Sequence, residues 1–243
     1  VVVCPLWIAV NHFDQRAGSF PVVRGKYLAL LGLTPLVLVD LVLAVAYFVG
    51  LDPEIITSCC GALFSQSGGS VAGELAGLSA VPMMWAFYLC GVVFLTLASA
   101  CLVTSAGWLR YGLLGLSVMM LVVALTAIVS FVSLYVYQLP THHCPFDMLQ
   151  ASYYFIGYPL YLSLFAGVVF GMLPGFLFPL RRITDLAGLI AAAERRWLRV
   201  SIACTLCFYA VATLPIIGRR RGLWRVQLTS GRTIVDQTAV RTR

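Results

Sequence analysis

The chain has 243 residues, 61% of them hydrophobic and only 10% charged, with a formal net charge of +7 and a mean hydropathy of +0.96. A water-soluble domain is roughly 45–50% apolar and about 25% charged, so this chain has too little polar surface to cover a globule in water. Composition therefore excludes a soluble globule, a disordered chain, a coiled coil and a collagen, and makes lipid the solvent of most side chains.

Val1 to Val10 is apolar but too short to cross a bilayer, and reads as the tail of an earlier span leading into an inner loop at residues 11–26. Four stretches exceed the about 20 apolar residues that a crossing helix needs: Tyr27 to Gly50, Val81 to Val103, Leu113 to Gln138 and Tyr158 to Leu180. A fifth, Val200 to Gly218, is long enough and carries Pro215 near its end, where the missing N–H marks an exit from the membrane. In lipid the backbone must satisfy its own polar groups, and the alternation of a membrane β-barrel is absent. The expected fold class is therefore all-α: a polytopic helical membrane bundle with a four-span core over residues 27–180. A basic loop, a fifth span at 200–218 and a basic tail complete residues 181–243.

Orientation follows from the Lys and Arg positions, because cytoplasmic loops retain basic residues. Arg16, Arg24 and Lys26 precede the first long span, Arg110 follows the second, and Arg181, Arg182, Arg195, Arg196 and Arg199 follow the fourth. The connections at 51–80 and 139–157 hold neither Lys nor Arg. The expectation is a cytoplasmic (inner) membrane with these two loops facing outward. The tail, with Arg219, Arg220, Arg221, Arg225, Arg232, Arg241 and Arg243, dissents from that rule if the fifth stretch crosses fully. Its expected partner is anionic lipid, not nucleic acid.

Eight cysteines are present. Cys4, Cys90, Cys101, Cys204 and Cys207 lie in apolar segments and read as small hydrophobes packed between helices. Cys204 and Cys207 have redox spacing, but no neighbouring charge favours a thiolate. The other three fall in the outward loops: Cys59 and Cys60 in the first, and Cys144 within Thr141-His142-His143-Cys144-Pro145-Phe146-Asp147 in the second. All three thiols and two of the chain's three His are thus expected on the side where disulfides persist. Three readings of this cluster stay open. In thiol-disulfide exchange, Cys144 is the attacking or interchange thiol, at a helix that Pro145 starts as a first-turn residue. Cys59 and Cys60 relay to it, His142 or His143 tunes its protonation and Asp147 takes up the proton. As a non-enzymatic soft-metal protein, the chain binds or transfers a copper-, zinc- or mercury-type ion through Cys59, Cys60, His143 and Cys144, with Asp147 a further ligand. In the third reading, a disulfide from Cys144 to Cys59 or Cys60 only pins the loop.

Ser133-Leu134-Tyr135-Val136-Tyr137, followed by Cys144-Pro145-Phe146 at the outer start of the fourth span and cysteines in the loop after the first, resembles the vitamin K epoxide reductase-like family. Secondarily it resembles the DsbB-type membrane thiol oxidases; the likeness covers residues 27–180. The resemblance implies a four-helix redox scaffold. In it a Cys-x-x-Cys pair reacts with a quinone and exchanges electrons through loop cysteines with an extracytoplasmic thiol protein. Where that family has the second Cys of the pair, this chain has Asp147, and its loop cysteines are adjacent. An adjacent pair closes a strained ring if it bonds to itself, so exchange with Cys144 is the easier pairing.

Asp40 lies near the middle of the first long span, where a carboxylate is costly; it is expected to face the bundle interior and is a functional candidate. Tyr153, Tyr154 and Tyr158, with Trp85 and Tyr88, read as an aromatic belt. Gly167, Gly171 and Gly175, at four-residue spacing, form a close-packing face for a neighbouring helix of this chain or of a second copy in a homo-oligomer. His12 is expected to be solvated. No phosphate-cradling loop, Ser-His-Asp order, H-E-x-x-H pair or dinucleotide fingerprint is present, so hydrolases, ATP-driven pumps and nicotinamide enzymes have no motif here.

Overall fold

Residues 2–50, 78–137 and 144–220 are described by the computed structural model, the side chains of 218–220 excepted. Among the described residues the regular structure is entirely helical, as a backbone in lipid requires. In chain order the helices are α1 (Val3–Arg16), α2 (Val23–Val49), α3 (Ala80–Val103), α4 (Gly107–Ala127), α5 (Ser133–Tyr137), α6 (Gly157–Phe176) and α7 (Thr184–Arg220). A π turn at Ile128–Val132 joins α4 to α5 into one continuous rod. Five stretches are long and apolar enough to cross a membrane: Val23–Val49, Ala80–Val103, Gly107–Tyr137, Gly157–Arg182 and Thr184–Ile217. The chain is a multi-pass helical membrane bundle whose partner is the lipid bilayer.

The bundle proper is α3, α4, α6 and α7, with α6 packed between α4 and α7. Phe87, Phe94, Phe131, Phe208 and Met120 are fully buried at its centre, and the Phe87 ring stands edge-on to Phe131 and Phe208 at centroid distances of 5.5 and 5.7 Å. The glycine face of α6 lets the backbones close in. A Cβ on Gly167 would lie 2.8 Å from Thr205 Oγ1, and one on Gly171 would lie 2.8 Å from Phe94 Cζ and 3.0 Å from Ser117 Oγ. Gly175 meets the Arg110 backbone and Leu114 in the same way. Ser201 Oγ donates to the Gly167 carbonyl at 2.7 Å, which makes the seam one of small residues sealed by hydroxyls. This face is filled by α3, α4 and α7 of the same chain and is not a surface left over for a second copy.

Three regions differ from the sequence expectation. The basic stretch 181–199 is helical: after a 3-10 turn at Phe178–Arg182, α7 begins at Thr184 and runs for 37 residues. At about 1.5 Å per residue it is roughly 55 Å long, well beyond an apolar layer of about 30 Å. Its charged turns break the apolar run without breaking the helix, because Glu and Arg are good helix formers. Pro215 likewise sits inside the helix and does not end it.

Arg110 is on α4 and buried, not in a connection. Its Nε donates to Glu194 Oε1 on α7 at 2.6 Å, and Arg181 Nη1 reaches Glu194 Oε2 at 3.0 Å. Both guanidinium groups lie over the Phe178 ring, at 5.5 and 5.8 Å. His12, on α1 and not in a loop, is exposed as expected.

Asp40 does not face the bundle interior. The interior is closed by α3, α4, α6 and α7, so α2 stands outside it, and Asp40 is exposed on α2's flank. Only the base of α2 is held. Lys26, its buried residue, pairs with Asp14 Oδ2 of α1 at 2.7 Å and donates to Asn11 Oδ1 at 2.9 Å. Asp14 Oδ1 also accepts the Val22 N–H at 2.8 Å.

Candidate functional site

Cys144 follows α5 at one end of the bundle and is 1% exposed. Two tyrosines fix the chain on either side of its peptide. The Tyr137 hydroxyl, at the end of α5, donates to the Cys144 carbonyl at 2.5 Å, and the Tyr161 hydroxyl, on α6, donates to the Pro145 carbonyl at 2.7 Å. Each bond satisfies a backbone carbonyl that an apolar surround would otherwise make costly to bury.

The helix expected to start at Pro145 does not form there. Two 3-10 turns follow, Asp147–Leu149 and Ala151–Tyr153, then Tyr154 and Phe155 both adopt φ of 54°, and α6 starts only at Gly157. A Cβ on Gly157 would lie 2.8 Å from Leu149 Cδ2 and 3.0 Å from the Met148 carbonyl group, so this close reversal requires glycine. Among the described residues, therefore, no α-helix N-terminus follows directly on Cys144 to favour a thiolate. Asp147 is half-buried at the first of these turns, and its Oδ1 accepts from Gln150 Nε2 at 3.2 Å. Burial first, and the Asp147 carboxylate second, raise the phenol of Tyr153 above its ordinary value. The Tyr153 ring packs edge-on against Tyr137 at 4.6 Å.

Cys144 is disulfide-bonded. Cys4, Cys90, Cys101, Cys204 and Cys207 are free. Cys59, Cys60, His142 and His143 lie outside the described residues. The first loop does rejoin the bundle at the Cys144 end: the Leu78 carbonyl accepts Ser130 Oγ at 3.3 Å, and Ser130 stands two turns before Tyr137 on the same rod. Among the described residues no group of three His, Cys, Asp or Glu could hold a metal ion. Packing between helices accounts for Cys90 and Cys101, which are buried; Cys4 and Cys207 are exposed and Cys204 is half-covered. In the expected aromatic belt, Trp85, Tyr154 and Tyr158 are exposed as a belt requires. Tyr88 is instead tied inward, its hydroxyl 3.1 Å from Thr213 Oγ1.

An apolar cavity of about 790 Å³ opens directly beside the disulfide segment. Pro145, Phe146 and Leu149 form one wall, Tyr158, Tyr161 and Phe165 of α6 another, and Ile128 and Val129 of the π turn a third. A π turn adds a residue to the helical repeat and re-aims the side chains that follow, and such turns are frequent at functional sites.

Three buried charged groups at the opposite end, Glu194, Asp14 and Lys26, were not among the sequence candidates. A signal for Glu194 existed: Leu186, Ile190 and Leu198, spaced by four and eight residues, are all fully buried, and Glu194 occupies the missing position of that stripe.

No protein-family model matches the chain, and no curated protein and no solved structure matches it at a significant level.

Proposed function

We propose that this membrane protein exchanges thiols and disulfides between an extracytoplasmic thiol protein and the membrane, with Cys144 paired to Cys59 or Cys60 as the working disulfide. The observation that carries this reading is the position of the Cys144 disulfide, at the mouth of the bundle and one residue from a large apolar cavity. The resemblance to the vitamin K epoxide reductase-like and DsbB-type proteins points the same way. The loops face outward from a cytoplasmic (inner) membrane in this reading.

Cys144 is almost wholly covered, so a partner thiolate attacks the loop sulfur. That attack forms a mixed disulfide and releases Cys144 as a thiolate, which takes up the proton the attacking thiol gave up, relayed through His142 or His143; Asp147 takes up the proton when Cys144 is oxidised again. A second partner thiol, losing its proton, attacks the partner's own sulfur in the mixed disulfide. The partner leaves oxidised, and Cys144 and the loop cysteine remain as two thiols. The disulfide is remade when two electrons and two protons pass to a quinone, which leaves as quinol. The cavity walled by Phe146, Tyr158 and Tyr161 is the apolar, aromatic space that a quinone ring and its tail require. Asp147 stands where a second motif thiol would be, so the electron pair reaches the quinone from the pair formed by Cys144 and a loop cysteine.

A second reading is favoured by one observation. The Cys144 peptide is buried and held by Tyr137, as a bond that merely pins a loop would be. Differential alkylation of the protein in its membrane, before and after mild reduction, followed by peptide mass spectrometry, separates the readings. Exchange predicts a link from Cys144 to Cys59 or Cys60 that opens with reductant and re-forms on adding a quinone. A link that never opens, with Cys144→Ser altering stability alone, establishes the pin. Free thiols shielded by a bound copper, zinc or mercury ion establish the soft-metal reading.

A further inference from the structure

We propose that α7 carries a site for an anionic phospholipid, its phosphate held by Arg195, Arg196 and Arg199 and its acyl chains laid along the apolar turns that follow. At about 100° per residue, these three arginines fall within roughly 100° of one another around the helix, and all three are exposed. On that same face the next turns are apolar: Ala203, Leu206 and Ala210 are exposed too, and no charged residue occurs between Arg199 and Arg219. One continuous face thus passes from cations to hydrocarbon within about one turn. Phosphate first and chain second is the order of groups along a phospholipid, which commits the site to a lipid over a free phosphate.

A second helix fixes the depth of the change. The Trp197 ring packs edge-on against Phe13 of α1, at 5.3 Å. The next residue of α1, Asp14, pairs with Lys26, and Lys26 directly precedes Tyr27, where the apolar run of α2 begins. The apolar layer therefore starts at the level of Trp197, and at about 1.5 Å per residue the three arginines lie within about 3 Å of that level along the axis. This is the depth of lipid headgroups, where a Trp ring is also at home.

The charge on this face is not neutralised from within the described chain. Arg110 and Arg181 reach the buried Glu194 from the other side of α7, and two cations on one carboxylate leave that clasp with a net positive charge behind the helix. Arg195, Arg196 and Arg199 pair with no carboxylate among the described residues. Asp185, the other acidic residue of α7, stands ten residues before Arg195 and accepts from Ser19. Arg195 and Arg199 are four apart, on adjacent turns of one face, and a guanidinium fork matches the oxygens of a phosphate in a bidentate way. The site is at the end opposite Cys144 and stands independently of thiol exchange.

The test is native mass spectrometry of the full chain in detergent, titrated with phosphatidylglycerol or with phosphatidylcholine carrying the same acyl chains. Wild type is expected to prefer phosphatidylglycerol by at least about tenfold, since each arginine near an anionic headgroup contributes roughly fivefold. Arg195→Gln, Arg196→Gln and Arg199→Gln together are expected to remove that preference, while Lys at the same three positions keeps most of it because the charge remains. Arg225→Gln, Arg232→Gln and Arg241→Gln together, an equal change of charge in the tail, are expected to leave it in place. Because Arg195, Arg196 and Arg199 are exposed, thermal unfolding without added lipid stays at the wild-type value in each variant. Excess inorganic phosphate is expected not to displace the lipid. The proposal is overturned if the Gln variant on α7 keeps the preference, if its Lys counterpart falls as far as the Gln variant, or if the tail variant loses as much. Displacement of the lipid by inorganic phosphate overturns it too, and makes the arginines a site for a free anion.

Discussion

The two ends of the bundle are held by different chemistry. At one end, Glu194 is clasped between Arg110 and Arg181 over Phe178, Lys26 is paired with Asp14, and Ser19 donates its hydroxyl to Asp185. The other end carries Cys144, Pro145 and the Gln150–Asp147 hydrogen bond. Cys144 and Pro145 are held by tyrosine hydroxyls on backbone carbonyls and by a disulfide. Buried ion pairs lock a geometry, since breaking one strands a charge. Neutral hydrogen bonds around a disulfide let a short segment loosen and re-form while the helices stay packed. The comparison predicts that damage at the charged end is global and damage at the Cys144 end is local.

Glu194→Ala gives the largest expected effect. It leaves two guanidinium groups facing each other with the Arg110 side chain only 5% exposed. Removing one partner of a buried pair typically costs about 3–5 kcal/mol. Arg181, at 26% side-chain exposure, recovers some solvation, which places the loss toward the lower figure. Denaturant unfolding in detergent measures it. A loss under about 1 kcal/mol would break the contrast, because the clasp would then contribute no more than an exposed pair.

Gly171→Leu acts between the two ends. Its side chain must displace Phe94 and the Ser117 and Ser201 hydroxyls, which already stand 2.8, 3.0 and 3.1 Å from a Cβ. Overpacking of this kind costs about 1–3 kcal/mol, and the same unfolding measurement reads it. If the mutant is as stable as wild type, α6 is not pressed against α3, α4 and α7 as closely as the glycine seam requires.

The five spans were legible in the sequence because lipid leaves a chain one solution, a run of apolar residues closed into a helix. Their packing was less so. Beyond its basic first turn, α2 is apolar on all sides apart from Thr34 and Asp40, and nothing in such a pattern says whether its neighbour is protein or lipid, so Asp40 was expected inside and stands outside. The Glu194 position was readable from the Leu186, Ile190 and Leu198 stripe, but the surrounding arginines made the segment look like a loop. The cysteine-bearing turn misled in a different way. Pro145 satisfies the rule for a helix start, yet the left-handed pair Tyr154 and Phe155 and the contact that needs Gly157 defer the helix to α6, and neither carries a local sequence signal strong enough to override proline.

At the Cys144 end, Tyr137→Phe removes one donor from the buried Cys144 carbonyl. The global cost is small, about 1 kcal/mol for a single hydrogen bond, but the local effect is expected in the disulfide, which should be reduced faster by a small thiol such as dithiothreitol. The same substitution should leave unfolding of α3, α6 and α7 nearly unchanged. Equal slowing or speeding of both processes would show that the segment and the bundle open together, and the contrast between the ends would fail.

The smallest effect concerns pH. The Tyr153 phenol is raised above its ordinary value of 10.0 by burial and by Asp147. In the folded protein it therefore keeps its proton to higher pH than it does unfolded, and its contribution to stability is fully present below pH 10 and lost as pH rises through the folded value. Reduction of the Cys144 disulfide should thus accelerate above pH 10 by more than the thiol reagent's own ionisation explains. Tyr153→Phe should abolish that excess, and Asp147→Asn should only shift it downward, because the carboxylate adds to a shift that burial already makes. A profile identical in wild type and Tyr153→Phe would mean that this ring does not gate the segment. Tyr137 and Tyr161 would then be the rings that govern how the segment opens.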